Sequence, residues 1–197
     1  MPRSERPDIR ERLLTGAAEV LVANGIEGLT VRRVAEAAGR STMCVYTKFG
    51  SRRGLMHEVF AQAEASLAAA LAKAKPIDGD AALGLAAAYR RFAKRNPAAY
   101  ALLFEHPLST LDIDDSLRRN AIAHILTQLT NATRAGADGP GAGQVDAAAS
   151  GGDEQAAVAA WALMHGLIAA ERTQPAPSGG WESYYLTTIG STAKERL

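Results

Sequence analysis

One cysteine, Cys44, is the whole supply of thiol chemistry, so no internal disulfide framework can form and a reducing, cytoplasmic setting is expected. No long apolar run exists either. The longest nearly apolar stretch, from Ala156 to Ala170, is interrupted by His165 and falls short of the roughly 20 residues a bilayer span needs, so no membrane association is expected. The stretch from Met1 to Arg12 is charged and polar, without the apolar segment of a secretory leader. The glycosylation sequon at Asn131, Ala132 and Thr133 is accordingly read as chance. Net charge is only +1, so the whole-chain value gives no hint of a nucleic-acid partner. No run of β-alternation and no internal repeat is present. There is no Walker loop, Rossmann glycine fingerprint, HExxH or GxSxG elbow, and the glycine-rich GADGPGAG at 136–143 follows no strand. His57, His106 and His124 are not spaced with carboxylates or cysteine as metal ligands are. The chain is therefore not expected to be an enzyme, and no metal or cofactor is expected.

What remains is ordinary globular composition, 47% hydrophobic and 22% charged, with an uneven spread of charge. Residues 1–55 hold ten Lys and Arg against six Asp and Glu, a net of +4, and the remainder holds twelve against fifteen, a net of −3. A basic head on a slightly acidic body suits a chain whose one end meets phosphate, and equally an uneven scatter of surface charge.

Helical periodicity runs almost throughout, so the fold is read as all-α with about nine helices. Ile9, Leu13, Ala17 and Leu21 recur along a first helix that Asp8 can cap and Asn24-Gly25 can end. Thr30 is placed to cap a second helix carrying Val31, Val34 and Ala35, which Gly39 stops. Ser41 can cap a third, reaching about Phe49. Ser51 can cap a long fourth with the stripe Leu55, Val59, Phe60, Ala63, Leu67 and Leu71. A fifth carries Leu85, Tyr89 and Phe92, and a short sixth Tyr100, Leu103 and Phe104. The acidic run Asp112 to Asp115 opens a seventh, as negative charge favours a helix N-terminus. Residues of about 136–152 are small and glycine-rich and read as a flexible loop. An eighth helix from about Asp153 carries Val158, Trp161, His165 and Ile168, and a ninth Trp181, Tyr185 and Ile189.

The most informative stretch is Thr30 to Leu55. Two short helices joined by Ala38-Gly39-Arg40-Ser41 match a helix-turn-helix, whose second helix enters the major groove of DNA. Ala35 is small enough for close helix approach, and Val45 faces inward with Val34. Thr42, Met43, Tyr46, Thr47 and Lys48 are left for the outer face.

The run AAGRSTMCVYTKFGSRRGL resembles the TetR-family pattern at Ala38, Gly39, Ser41, Tyr46, Phe49, Ser51, Arg52 and Leu55, and the first helix with Ala17, Leu21, Gly25 and Thr30 fits as well. Met43 and Cys44 depart from the small residues usual there, and Gly54 is unusual in the first turn of a fourth helix. The resemblance implies a head of residues 1–51 that binds double-stranded DNA at a palindromic operator. It assigns base-edge contacts to Thr42, Met43 and Thr47, either bases or backbone to Arg40, and phosphate contacts to Thr30, Tyr46, Lys48 and Arg52. These hydroxyls, cations and a thioether suit such contacts, and Met43 suits a thymine methyl. Arg3 and Arg6 form an arm that either reaches DNA or frays. Tyr46 either faces DNA or packs its ring beneath the helix. Cys44 is either a small buried hydrophobe or a redox-sensitive thiol.

The rest, residues 52–197, reads as a helical bundle. Trp161, His165 and Gly166 in WALMHGL resemble the WHG type of TetR C-terminal domain. That likeness implies a small apolar or amphipathic ligand, with Phe60, Tyr89, Phe92, Tyr100, Phe104, Trp161, Met164 and His165 as candidate contacts. The same aromatics equally serve as core. It also implies a homodimer through the last two helices, for which Val158, Ala162, Trp181, Tyr185 and Ile189 are the expected contacts unless the tryptophans close the intramolecular core. The function implied is a ligand-released transcriptional repressor; a DNA-binding regulator without a small-molecule ligand is the alternative.

Overall fold

A computed structural model describes residues 8–137 and 149–194. Among the described residues it contains nine α-helices and no strand, only an isolated bridge between Ile77 and Asp80, so the all-α reading holds. The helices are α1 (Ile9–Asn24), α2 (Val31–Ala37), α3 (Thr42–Phe49), α4 (Arg52–Ala72), α5 (Ala81–Arg95), α6 (Pro97–Phe104), α7 (Ser116–Ala137), α8 (Ala149–Thr173) and α9 (Gly180–Lys194). A 3-10 turn at Leu108–Leu111 precedes α7. The chain forms two compact units. The first takes residues up to Ser66 together with Asn96–Arg118, and the second takes Leu67–Arg95 with residues from Arg119 onward.

In the first unit α1, α2 and α3 close on one another around Leu13, Ala17, Val34, Ala35 and Val45, all buried. The approach of α1 to α2 depends on Gly16. A Cβ there would lie 2.9 Å from the backbone nitrogen of Ala38 and 3.1 Å from the carbonyl oxygen of Val34. Thr30 caps α2 as expected, its hydroxyl oxygen accepting from the Arg33 amide at 3.3 Å. Asp8 and Ser41 flank α1 and α3 without a side-chain capping bond. α6 packs against α1. Its last carbonyls, which a helix leaves unsatisfied, are taken up by Arg118, which donates to Leu103 at 2.7 Å and also to Leu102 and His106.

The acidic run 112–115 stands directly ahead of α7, not within its first turn. Asp112 closes the 3-10 turn in the left-handed region, φ 57°, and the helix begins four residues later at Ser116. Ile113, between the turn and the helix, is buried. Asp114 then takes the capping part, accepting from the Ser116 amide at 2.7 Å.

In the second unit α5 packs against α8 and α9. α8 begins at Ala149, earlier than Asp153, so 149–152 are helical. Of the loop expected at about 136–152, residues 138–148 lie outside the described residues, as do Arg3 and Arg6. The buried face of α8 is Ala157, Met164 and Ile168. Val158, expected on that stripe, points outward and is 43% exposed. The i, i+7, i+11 spacing from Ala157 defines the inner face, and Val158 stands about 100° away from it.

The group that periodicity alone does not reveal is Arg90, charged yet only 7% exposed. It donates to both carboxylate oxygens of Glu171 on α8, Nε to Oε2 at 2.8 Å and Nη2 to Oε1 at 2.7 Å. Lys94 adds a third bond to Oε1 at 2.9 Å. Glu182 on α9 stands 3.6 Å from Arg90 Nη1, and the Arg90 guanidinium lies 5.8 Å from the Tyr185 ring centre. The Tyr185 hydroxyl donates to the Ala86 carbonyl at 3.1 Å. One α5 arginine thus ties α8 and α9 to α5, in the bidentate geometry that suits guanidinium and carboxylate. Burial by itself would raise the Glu171 pKa, but the hydrogen bonds and charges of Arg90 and Lys94 outweigh it. The carboxyl therefore titrates below its usual value near 4.5.

Removing the charge of Glu171 strands Arg90 in the interior. Glu171→Gln is expected to lower unfolding stability by about 3 kcal/mol in urea titrations at fixed protein concentration. Because the folded pKa is depressed, the stabilisation from this carboxylate is full above the usual pKa and is lost as pH falls through the folded value. The variant should therefore lose part of the wild-type acid sensitivity below about pH 4.5. An unchanged stability would show that the pair does not hold the unit together.

Candidate nucleic-acid interface

α3 is eight residues long, and its register is set from inside. Val45 is fully buried, so the residues on the far side of the helix must face out. Thr42, Met43, Tyr46, Thr47 and Lys48 are all exposed. Met43 is 70% exposed and Tyr46 48%, so the Tyr46 ring does not pack beneath the helix. Arg40 is exposed in the turn after Gly39, whose φ of 62° ends α2. Thr30 is exposed at the start of α2. Seven of the eight residues expected to meet DNA therefore lie exposed on the α2–α3 segment, and the eighth, Arg52, is half-buried at the start of α4. Cys44 is half-buried, its sulfur 3.6 Å from the Ser41 hydroxyl.

Two of the expected phosphate-binding cations face carboxylates of their own chain. Lys48 Nζ stands 3.7 Å from Asp8 Oδ1. Arg52 is held more closely: Nη1 donates to Asp112 Oδ2 at 2.8 Å and Nη2 to the Thr110 carbonyl at 3.3 Å. Sequence reading placed Asp112 in a helix and so missed it as a partner of Arg52. Nothing short of the left-handed turn at Asp112 signals that pairing. Arg10 lies over the Phe49 ring, 5.5 Å from its centre, and pairs with Glu58 at 2.6 Å. Phe49 is half-buried under it.

The turn from α3 into α4 explains Gly54. A Cβ at that position would sit 2.0 Å from the Phe49 carbonyl oxygen and 3.2 Å from its carbon. The Ser51 hydroxyl caps the new helix by accepting from the Gly54 amide at 3.0 Å. The absent side chain lets α4 start directly against the end of α3, so Gly54 bears on how α3 is held.

The eight candidate ligand contacts divide between the units. Phe60 and Tyr100 are buried in the first, and Phe104 stacks at a tilt on Tyr100, ring centres 5.2 Å apart. Tyr89, Phe92 and Met164 are buried in the second. There the Tyr89 hydroxyl is 3.4 Å from His165 Nδ1, and His165 stacks on Trp161 at 5.5 Å. A shallow apolar depression in the second unit is lined by Leu71, Leu85, Ile125, Gln128, Leu129 and Met164. Met164 alone belongs to both sets. No helix among the described residues is long and apolar enough to cross a membrane, and no group of His, Cys, Asp and Glu among them is arranged to hold a metal.

Family comparison agrees with this geometry. The model for bacterial regulatory proteins of the tetR family matches residues 13–59, which span α1 to α3 and the start of α4. The model for the tetracyclin repressor-like C-terminal domain matches residues 82–182. The chain belongs to the TetR family of bacterial regulatory proteins, and it is a DNA-binding transcriptional regulator of that family. Against curated proteins the sequence finds no significant match. Among solved structures it is similar to a TetR-family member from Streptomyces coelicolor A3, at 19% identity and TM-score 0.69, over 94% of this chain and 98% of that one. A protein of unknown function from Rhodococcus sp. RHA1 matches at 22% identity and TM-score 0.67, over 99% and 98%. The TetR family transcriptional regulator PfmR from Thermus thermophilus matches at 21% and 0.61, over 93% and 97%. At these identities the likeness establishes the fold.

Gly54→Ala should test the α3–α4 turn. The added methyl must displace the Phe49 carbonyl, at an expected cost of about 2 kcal/mol or more, seen as a lower Tm than wild type. A fully stable variant would mean that the turn relaxes freely and does not hold α3.

Proposed function

We propose that the protein is a transcriptional repressor whose α3 enters the major groove of a palindromic operator as one half of a homodimer. The observation that carries this reading is the outward row of Met43, Tyr46, Thr47 and Lys48 on a helix whose inner residue, Val45, is wholly buried. Thr42, Met43 and Thr47 serve base edges, Arg40 base or backbone, and Thr30, Tyr46, Lys48 and Arg52 phosphate. Arg52 reaches phosphate by exchanging Asp112 for a phosphate oxygen, an exposed pair worth little and readily given up.

The dimer would form through α8 and α9. Val158, Ala162 and Gly166 lie exposed at four-residue spacing on α8, with open space over Gly166, and Tyr184 is exposed on α9. Tyr185 and Ile189 do not serve there, because both are buried and the Tyr185 hydroxyl is bonded to α5. Two-fold pairing sets the recognition helices about 34–36 Å apart, one turn of duplex, or at a wider multiple.

Release from the operator would come from a small apolar or amphipathic ligand in the second unit, entering at the depression beside Met164. Such a ligand acts only through unequal affinity for the bound and released states. Favouring the reading without a ligand is that this depression encloses a cavity of about 0 Å³, whereas ordinary ligand pockets run to roughly 300–1,000 Å³. Isothermal titration that finds no binder among apolar small molecules, alongside intact operator binding, would favour the second reading.

Lys48→Ala is expected to weaken binding to every duplex alike and to flatten the plot of log affinity against log salt by about 0.9. Asp112→Asn keeps the left-handed turn and removes the carboxylate that competes for Arg52, so operator affinity should rise about two- to fivefold at low salt. Fluorescence anisotropy over a salt series reads both. An unchanged salt slope in Lys48→Ala would remove Lys48 from the phosphate contacts, and a weaker Asp112→Asn would make Asp112 a support for Arg52, not a competitor.

A further inference from the structure

The chemistry left on the outer face of α3 also bears on which bases it reads. The helix sequence TMCVYTKF contains no Arg, Asn or Gln to make paired hydrogen bonds to a purine, and no Asp or Glu to accept from cytosine. Its one cation, Lys48, lies in the last turn beside Asp8. Met43 and Thr47 are one turn apart and so share a face. The Thr47 hydroxyl donates to the Met43 carbonyl at 2.9 Å. A hydroxyl has a single proton, and here it is spent inside the helix. Thr47 is left with its γ-methyl and the oxygen lone pairs, next to a thioether chain that is 70% exposed.

We infer that Met43 and Thr47 form an apolar reader of thymine methyls, which selects operator half-sites carrying T·A pairs beneath α3. This rests on the DNA-contact reading of α3 given above. Guanine offers only the acceptors N7 and O6 in the major groove, and Thr47 has no proton to give them. Cytosine offers a donor and no methyl. Of the base-pair edges, T·A alone combines a methyl for Met43 and the Thr47 γ-methyl with an adenine N6–H for the Thr47 lone pair. The departure of Met43 from the small residues usual in the family pattern thereby acquires a role in sequence preference.

The test begins with selection of bound duplexes from a random library by the full chain. Each thymine of the selected half-site is then replaced by deoxyuridine, which keeps every hydrogen-bonding edge and removes only the methyl. At the thymines under α3 the wild type should lose about fourfold in affinity per methyl, the value of one buried apolar carbon. Met43→Ala should bind the thymine and deoxyuridine duplexes equally at one of these positions. Thr47→Val keeps the methyl and loses the lone pair, so it should keep deoxyuridine sensitivity while binding the T·A duplex several-fold more weakly. Thr47→Ser keeps the hydroxyl and should lose sensitivity at its thymine. The inference is overturned if the selected half-site has no T·A pair under α3, if deoxyuridine is silent at every position, or if Thr47→Val loses deoxyuridine sensitivity where Thr47→Ser keeps it. A chain that selects no sequence, with Lys48→Ala also silent, would instead overturn the DNA-contact reading and this inference with it.

Discussion

The packing of Val45 into the three-helix core is the constraint from which the exposed face of α3 follows. With its side chain fully buried beside Val34 and Ala35, α3 has no rotational freedom about its axis. Met43 and Thr47, two positions to either side, then fall on the far face because of the helical period, with Tyr46 about 100° round from Val45. The close approach that makes this core possible needs Gly16 between α1 and α2, and the end of α3 is held by a fourth helix that starts against it only because Gly54 lacks a side chain. Exposed chemistry at the surface is thus a consequence of small residues inside.

The second unit is held by a different principle. Its α5 is rich in alanine and offers modest apolar area, yet it anchors both α8 and α9 through Arg90, Glu171 and Tyr185. A buried ion pair contributes little net stability compared with an apolar contact, but it accepts only one geometry and punishes the loss of either partner. Such a pair fixes how α8 and α9 lie against α5. It thereby sets which of their residues remain outside, among them Val158 and Tyr184.

The head was legible in the sequence because short-range chemistry dictates it. Thr30 caps, Gly39 turns and Val45 repeats with Val34 at spacings that need no tertiary knowledge. The long stripe of α4 was legible for the same reason, from Leu55 through Leu71. Legibility ended where tertiary contacts decide. The acidic run at 112–115 precedes α7 as its composition suggests, but Asp112 lies in a left-handed turn and pairs with Arg52, a contact that composition does not reveal. On α8 the apolar residues are small and spread around the helix, so periodicity alone did not separate the inward Ala157 from the outward Val158. Arg90 reads as a surface cation because its partner lies 81 positions away. For the ligand contacts, aromatic residue type does not distinguish a core position from a pocket wall.

Everything proposed for this protein depends on the first unit binding a specific duplex through α3. It is tested most directly by titrating the purified protein into fluorescent DNA from upstream of its own coding sequence, at two salt concentrations and against excess unrelated duplex. The account predicts tight binding that survives the competitor and weakens as salt rises, as phosphate contacts require. Binding that the competitor abolishes, both there and on duplexes drawn from a random pool, would contradict it.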